Sequence, residues 1–356
     1  MYISHLKLIN FRNYKEEKVT FTKNTNILIG KNAQGKTNLI ESIYYLSRAN
    51  SFKKIKDNDI IRFGENSSSL FGHIVRKNRR KVIKIEIGEE KYIEINGLKV
   101  DSLKEMNNQF DIVYFLPDQL RVVKEGPQLR RELVDNQIIS LKPSYKKIFL
   151  NTNKLLLARN NILRLRENTS YKKEQIIAIT KSLSTYIKSL SYLRREYIKS
   201  LNYTARSVHS FLTDSSEKLE LNYLSFFNGL EEDEIYYKIM TRLDQDMERG
   251  YTYFSPQRDD IDIKINNFSA KKFSSQGQIR SIILSIKIAE LENIKKIKGS
   301  SPIFLLDDVF SELDFDRRKR VLEIIKDSQS IITTNDLDKG LDAKIFYIRE
   351  GVVREN

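Results

Sequence analysis

The residues best equipped for chemistry lie near the start of the chain, at Gly30-Lys31-Asn32-Ala33-Gln34-Gly35-Lys36-Thr37. The spacing G-x-x-x-x-G-K-[ST] describes a loop that grips a phosphate. Its glycines let the backbone curl until several N–H groups face one anion. A helix starting at the loop's end adds its positive pole. Lys36 is the cation that reaches the β- and γ-phosphates, and the Thr37 hydroxyl is a ligand for Mg2+. Gly30, Lys31, Asn32, Ala33, Gln34, Gly35, Lys36 and Thr37 are therefore the candidate nucleotide-binding residues, with nucleotide phosphates and Mg2+ as the implied ligands. An ordinary glycine-bearing turn can show the same spacing, so the flanking elements decide between the two.

A metal held between phosphates needs an acidic partner. Ile303-Phe304-Leu305-Leu306-Asp307-Asp308 is an apolar run that ends in two carboxylates. A strand buried on both faces delivers its last side chains to the C-terminal edge of a parallel sheet, beside such a loop. Asp307 is the expected Mg2+ ligand, directly or through water. Asp308, one residue further, is placed to orient or deprotonate the attacking water. Lys36, Asp307 and Asp308 thus form the candidate catalytic set, and Thr37 and Asp307 the candidate metal ligands. Taken alone, the run reads equally as a strand followed by an acidic turn.

The elements around these residues have the order the chemistry requires. Thr25-Asn26-Ile27-Leu28-Ile29 is a β-rich run, and Asn38 to Leu46 has the periodicity of an amphipathic helix, giving strand, loop, helix. From Ser69 to Val100 apolar and polar residues alternate. Strands are expected over Lys81–Ile87 and Tyr92–Ile95, with a hairpin at Asn96-Gly97. From about Gly126 to Asp214 the pattern is helical. Ile176, Ile179, Leu183, Tyr186, Leu190, Leu193, Tyr197 and Leu201 recur at steps of three and four, close to a coiled-coil seam. Tyr145, Ile148, Thr152, Leu155 and Ile162 recur similarly, and the polar Glu167-Asn168-Thr169-Ser170 suits a turn between the two helices. The segment reads as a short antiparallel helical arm or as a pair of core helices. An α/β pattern resumes near Phe254, with a helix over Ile279–Ile294, strands at Pro302–Leu306, Ser330–Thr333 and Lys344–Ile348, and a helix over Asp316–Asp327.

Composition narrows the setting. The chain has 356 residues, 40% of them hydrophobic and 31% charged, and its mean hydropathy is negative. Its longest apolar stretches are a few residues, against the roughly 20 a membrane span needs. The opening MYISHLKLINFRNY shows no apolar secretory core. The absence of cysteine excludes disulfides and thiolate metal sites. Together these point to a cytoplasmic protein without a membrane partner. The formal charge of +15 favours an anionic partner such as nucleic acid.

The distance between the loop and the two carboxylates is too long for a small GTPase and suits the ABC superfamily. Phe273-Ser274-Ser275-Gln276-Gly277-Gln278 resembles that superfamily's signature loop, and Ser311-Glu312-Leu313-Asp314 resembles its D-loop. A Ser, Gly and Gln cluster ahead of a helix is also a common N-terminal cap. More finely, Asn10-Phe11-Arg12-Asn13-Tyr14, Asn32–Asn38, Gly126-Pro127 with Arg130-Arg131 and Asp135, Ser255-Pro256-Gln257-Arg258-Asp259-Asp260, Ser275–Arg280 and Leu305–Val309 resemble the motifs of the RecF family of bacterial recombination and repair proteins.

That resemblance implies an ABC/SMC-head-like P-loop ATPase lobe of α/β class, formed by residues 1–115 and 255–356. It also implies an inserted, mostly helical lobe over 116–254. It adds Arg12, Ser275, Gly277, Gln278 and Asp314 to the nucleotide residues. Two heads would sandwich two ATP molecules, Ser275 of each facing the γ-phosphate held by the other. The implied role is binding of duplex and single-strand/double-strand junction DNA, with RecO and RecR, to load RecA in recombinational repair and the SOS response. Three other classes compete. A transporter ATPase needs a membrane-coupling surface, a chromosome-structure protein needs a much longer coiled coil, and a nucleotide-gated module needs no turnover. The chain also departs from the family pattern. Ser255 and Gln257 stand where Gly and His are usual, and Gln cannot titrate as His does. Thr333-Thr334-Asn335-Asp336 occupies the place of the usual switch His, and Gln119 is a Gln-loop candidate or a plain loop residue.

Overall fold

The computed structural model describes residues 1–53, 55–77, 79–100, 103–106, 109–165, 170–336 and 342–355. Its strands, in chain order, are β1 (Tyr2–Phe11), β2 (Tyr14–Thr20), β3 (Thr25–Ile29), β4 (Ser68–Arg76), β5 (Arg79–Ile87), β6 (Lys91–Ile95), β7 (Leu98–Lys99), β8 (Ile112–Phe115), β9 (Leu219–Leu224), β10 (Asp260–Ile265), β11 (Phe268–Ser269), β12 (Ile303–Leu306), β13 (Ser330–Thr334), β14 (Lys344–Arg349) and β15 (Val352–Glu355). The chain divides into two compact units. One holds Met1–Leu120, Phe211–Ser215 and Gln276–Asn356, the other Arg121–Ser210 and Ser216–Ser275.

The first unit contains two six-stranded sheets. One is antiparallel, in the order β2-β1-β4-β5-β6-β7. β4 alternates buried and half-buried residues, as a strand with one face on the core must. The Asn96-Gly97 hairpin is present between β6 and β7, both residues in the left-handed region at φ 51° and 83°, which a two-residue turn of this kind requires. The other sheet has the order β15-β14-β3-β13-β12-β8, with β14, β3, β13, β12 and β8 parallel. Every residue of β3, β12 and β13 is buried, which explains why these runs carry little alternation. Since β13 lies between β3 and β12, the C-terminal ends of all three fall together at one edge of the sheet.

The second unit is built on the helices Pro127–Leu141, Pro143–Leu163 and Ser170–Leu212, with a small sheet of β11-β10-β9. Prolines open the first two, where a missing N–H costs nothing. The two longer helices run antiparallel. Tyr145 meets Arg194, Asn151 meets Tyr186, Arg159 meets Thr180 and the Leu163 carbonyl meets Lys172, so partners descend as the first number rises. The polar turn expected at Glu167–Thr169 lies outside the described residues. The buried stripe of Ser170–Leu212 differs from the expected seam. Ile176, Leu183, Leu190 and Leu201 are buried as expected, but Ile179, Tyr186, Leu193 and Tyr197 are half-exposed, and Thr180, Arg194 and His209 are buried instead. The unit's edge also differs from the expected boundary at 255. β10 pairs with β9 along its whole length, and that pairing groups residues up to Ser275 with the second unit. Among the described residues no helix is long and apolar enough to cross a membrane.

Candidate nucleotide site

β3 runs into the loop at Gly30, and the helix Lys36–Arg48 starts at its far end with Gly35 as N-cap. Both glycines are sterically required. A Cβ on Gly30 would lie 2.4 Å from the Ile348 carbonyl oxygen, and one on Gly35 2.7 Å from Asn13 Nδ2. Gly35 also has φ +117°, which L side chains rarely adopt. The loop's carbonyls are tied down from behind. Asn13 Nδ2 donates to Gln34 O at 3.0 Å, Tyr14 Oη to Gly35 O at 3.0 Å and the Gly351 N–H to Gln34 O at 3.1 Å. The Glu350 N–H donates to Gln34 Oε1 at 2.7 Å, and Asn38 Nδ2 holds Asn13 Oδ1 at 2.9 Å. Burial pushes the Tyr14 phenol far up, so it stays a neutral donor. Lys31, Asn32 and Ala33, at the loop's crest, are exposed.

Lys36 is buried, and its Nζ donates to the carbonyls of Gly30 and Lys31 and to Asn335 Oδ1 at 2.8 Å. Burial lowers its pKa, and the charges of Asp308 and Asp307 oppose that. Thr37 Oγ1 donates to Asp307, 2.8 Å from Oδ2 and 3.1 Å from Oδ1. Thr333 Oγ1 donates to Asp307 Oδ1 at 2.7 Å and accepts the Asp308 N–H at 2.8 Å. One hydroxyl therefore holds the Asp307 carboxylate and the Asp308 backbone. Burial raises the pKa of Asp307, while the Thr333 and Thr37 hydrogen bonds pull it down. Asp308 sits in the left-handed region at φ 52°, a conformation that costs a non-glycine residue energy and that clusters at functional sites. Ser311 Oγ donates to its carboxylate. Burial lowers the pKa of Arg280, and the charge of Asp308 opposes that shift.

The remaining expected residues fall elsewhere. Arg12 lies between β1 and β2. Its guanidinium clasps Glu41 at 3.1 and 2.8 Å and donates to the Asp59 carbonyl at 2.7 Å. Asp314 caps the helix Phe315–Ile325, accepting the Arg317 N–H at 2.8 Å. Gly277 and Gln278 lie in the first turn of the helix Gln276–Lys298, and Ser275, exposed, directly precedes it. Gln119 folds back on its own turn, accepting the Leu116 N–H at 3.4 Å. Four residues with evident roles were not singled out beforehand: Asn13, Tyr14, Thr333 and Asn335. The first two stand in the motif around Arg12, and the last two occupy the place where a switch His was sought.

The donor set at Thr37 and Asp307 fits Mg2+. That ion prefers hard oxygens and is held by one or two protein ligands, with waters and phosphates completing its shell. A hydroxyl and a carboxylate meeting at 2.8 Å supply that minimum.

Comparison with known proteins follows the same line. The profile of the family described as RecF/RecN/SMC N terminal domain matches residues 2–338. The DNA replication and repair protein RecF of Clostridium kluyveri is 38% identical, covering 99% of both chains. That of Clostridium acetobutylicum is 37% identical over the full length of both. A solved structure described as the recombination mediator protein RecF-ATP in the RecFOR pathway superposes with a TM-score of 0.85 at 30% identity, covering 100% of this chain and 99% of that one. An Smc head bound to the C-winged helix domain of ScpA shares the fold, with a TM-score of 0.62 at 18% identity. The chain belongs to the RecF family of DNA replication and repair proteins, within the wider RecF/RecN/SMC group.

Proposed function

We propose, from membership of the RecF family, that this chain is a cytoplasmic ATP-dependent DNA-binding protein of recombinational repair and that it hydrolyses ATP slowly. The observation that carries the nucleotide reading is the meeting of Thr37 and Asp307 at 2.8 Å across 270 residues of sequence. The loop's N–H groups and Lys36 bind and orient the phosphates. Thr37 and Asp307 hold Mg2+, which when bound neutralises phosphate charge. Asp308, held by Ser311 and by the Thr333 contact to its N–H, orients the attacking water and accepts its proton. The solved RecF described with ATP supports the choice of nucleotide.

In this reading ATP closes a homodimer in which Ser275 of one chain faces the nucleotide of the other, and hydrolysis opens it. The closed pair binds duplex and junction DNA, and RecR and RecO are the protein partners the family implies. The unit of Met1–Leu120, Phe211–Ser215 and Gln276–Asn356 then acts as the ATPase lobe and the other unit as the inserted lobe. The test is sedimentation with ATP, ADP or no nucleotide for the wild type and for Ser275→Arg. Arg is too bulky for a close approach to an anion, so the variant should bind ATP as a monomer yet fail to dimerise. Normal ATP-driven dimers of the variant would remove Ser275 from the composite site and leave it a helix cap.

A further inference from the structure

The positive charge of this chain is concentrated. Residues 142–212, a fifth of the sequence, hold fifteen Lys and Arg against three Glu, and so supply twelve of the fifteen surplus positive charges. Three of these cations are buried, Arg159 and Arg194 against carboxylates and Lys172 against backbone carbonyls. The exposed ones show an order that composition alone does not require.

On the helix Ser170–Leu212 the residues Lys188, Tyr192, Arg195, Lys199, Tyr203 and Arg206 follow one another at steps of four, three, four, four and three. Such steps keep side chains on one face of a helix. All six reach solvent, Tyr192 at 53% and Tyr203 at 80% exposure. Lys181, exposed, continues the same face two turns earlier. Acids touch the stripe at its margins. Glu231 pairs with Lys188 at 2.5 Å, Glu196 lies 3.6 Å from Arg195, and Glu220, whose carboxyl feels Arg206, is itself paired with Lys218 at 2.5 Å. Between Arg195 and Arg206 no carboxylate lies on the face itself.

A charged helix face is usually only solvated, so the residue types must decide. Tyr and Arg are common at protein interfaces and Lys is not, but four of the six residues are cations and the stripe has no aliphatic anchor, which favours a polyanion over a protein partner. Cations interleaved with tyrosines, whose hydroxyls donate well, are what a phosphate backbone is gripped by. From Lys188 to Arg206 the helix runs about 27 Å, at 1.5 Å per residue. Duplex DNA carries one charge per ~1.7 Å of its axis, so that length faces several phosphates.

We propose that this face of the helix is where the chain holds the phosphate backbone of duplex DNA, irrespective of base sequence. It rests on the DNA-binding reading above and adds the surface that performs it. The test is the salt dependence of binding to a fluorescent duplex of about three helical turns. The wild type is compared with Arg195→Gln/Lys199→Gln/Arg206→Gln and with a control, Lys146→Gln/Lys147→Gln/Lys154→Gln. The control removes equal charge from exposed positions on the neighbouring helix Pro143–Leu163.

Each phosphate contact contributes about −0.9 to the log–log slope. The first variant should therefore flatten the slope by about two to three and bind at least tenfold more weakly at low salt. Its ATP affinity should be unchanged, and the control should lose less than half as much slope. A wild-type slope in the first variant, with duplex binding intact, overturns this surface while leaving the DNA reading standing. Equal losses in both variants overturn the stripe in favour of diffuse charge. Failure of the wild type to bind duplex at any salt removes the DNA reading itself, and this surface with it.

Discussion

Both units bury charge, and Arg194 in the second and Lys36 in the first are matched differently. In the second, Arg194 donates to Asp135 at 2.9 and 2.8 Å, to Asp259 at 2.8 Å and to the Pro256 carbonyl at 2.9 Å. Tyr145 and Tyr223 donate to those same carboxylates, at 2.5 and 2.6 Å. Burial alone would lower the pKa of Arg194, but the Asp135 carboxylate overrides it and holds the guanidinium charged. Nearby, Arg130 clasps Asp260 at 2.7 and 3.0 Å and Arg131 donates to the Asp259 carbonyl at 2.7 Å. In the first unit, Lys36 is also buried, but the oxygens within its reach are carbonyls and an amide, so its charge has no carboxylate in hydrogen-bond contact.

A buried cation matched by internal anions is architecture. A buried cation matched only by neutral oxygens, where a glycine loop enters a helix, suits an anion from outside. The contrast also assigns the two family motifs that the nucleotide chemistry leaves unused. Arg130, Arg131 and Asp135 of one meet Asp259 and Asp260 of the other, directly or through Arg194, and their work is to hold helices and strands of the second unit together.

The comparison can be broken in order of effect on stability. Arg194→Leu strands two buried carboxylates and should cost about 3–5 kcal/mol in urea unfolding. A loss under about 1 kcal/mol would show the network is not structural. Thr333→Val keeps shape but removes the hydroxyl that binds the Asp307 carboxylate and the Asp308 backbone N–H. It should cost about 1–3 kcal/mol and reduce ATP turnover more than ATP binding. Equal turnover would show that Thr333 does not position Asp307 or Asp308. Asp307→Asn removes a buried charge that burial already disfavours, so stability should change by no more than about 1 kcal/mol. Magnesium-dependent nucleotide binding should nonetheless weaken. An Asp307→Asn protein that loses several kcal/mol and keeps its nucleotide affinity would make Asp307 a structural residue like Asp135 and Asp259.

What the sequence made legible follows the same division. Strand, loop, helix and the carboxylates at the end of β12 were readable because each is local, and parallel pairing brings local runs together at one sheet edge. The long helix was readable as a helix, but its buried stripe was not. Arg194 and Thr180 are buried because Asp135, Asp259 and Arg159 lie over them, and periodicity of apolar residues cannot reveal partners remote in sequence. The residues at β10 were placed with the wrong neighbours for a similar reason, since its pairing with β9 is invisible in one dimension. Thr333 and Asn335 went unassigned because a His was sought there, while the chain uses a hydroxyl and an amide. Arg12 shows a different limit. A family motif put it among the nucleotide residues, and the structure gives its fork to Glu41.

The charge of Lys36 is reserved for a phosphate. Equilibrium dialysis of Mg-ATP against the wild type and Lys36→Met tests it most directly, with urea unfolding run on both as a control. Lys36→Met should lose at least about 100-fold in affinity, roughly 2.7 kcal/mol, with stability unchanged within about 1 kcal/mol. Equal affinity in two equally stable proteins would contradict it, and the loop from Gly30 to Thr37 would then be a turn and not a nucleotide site.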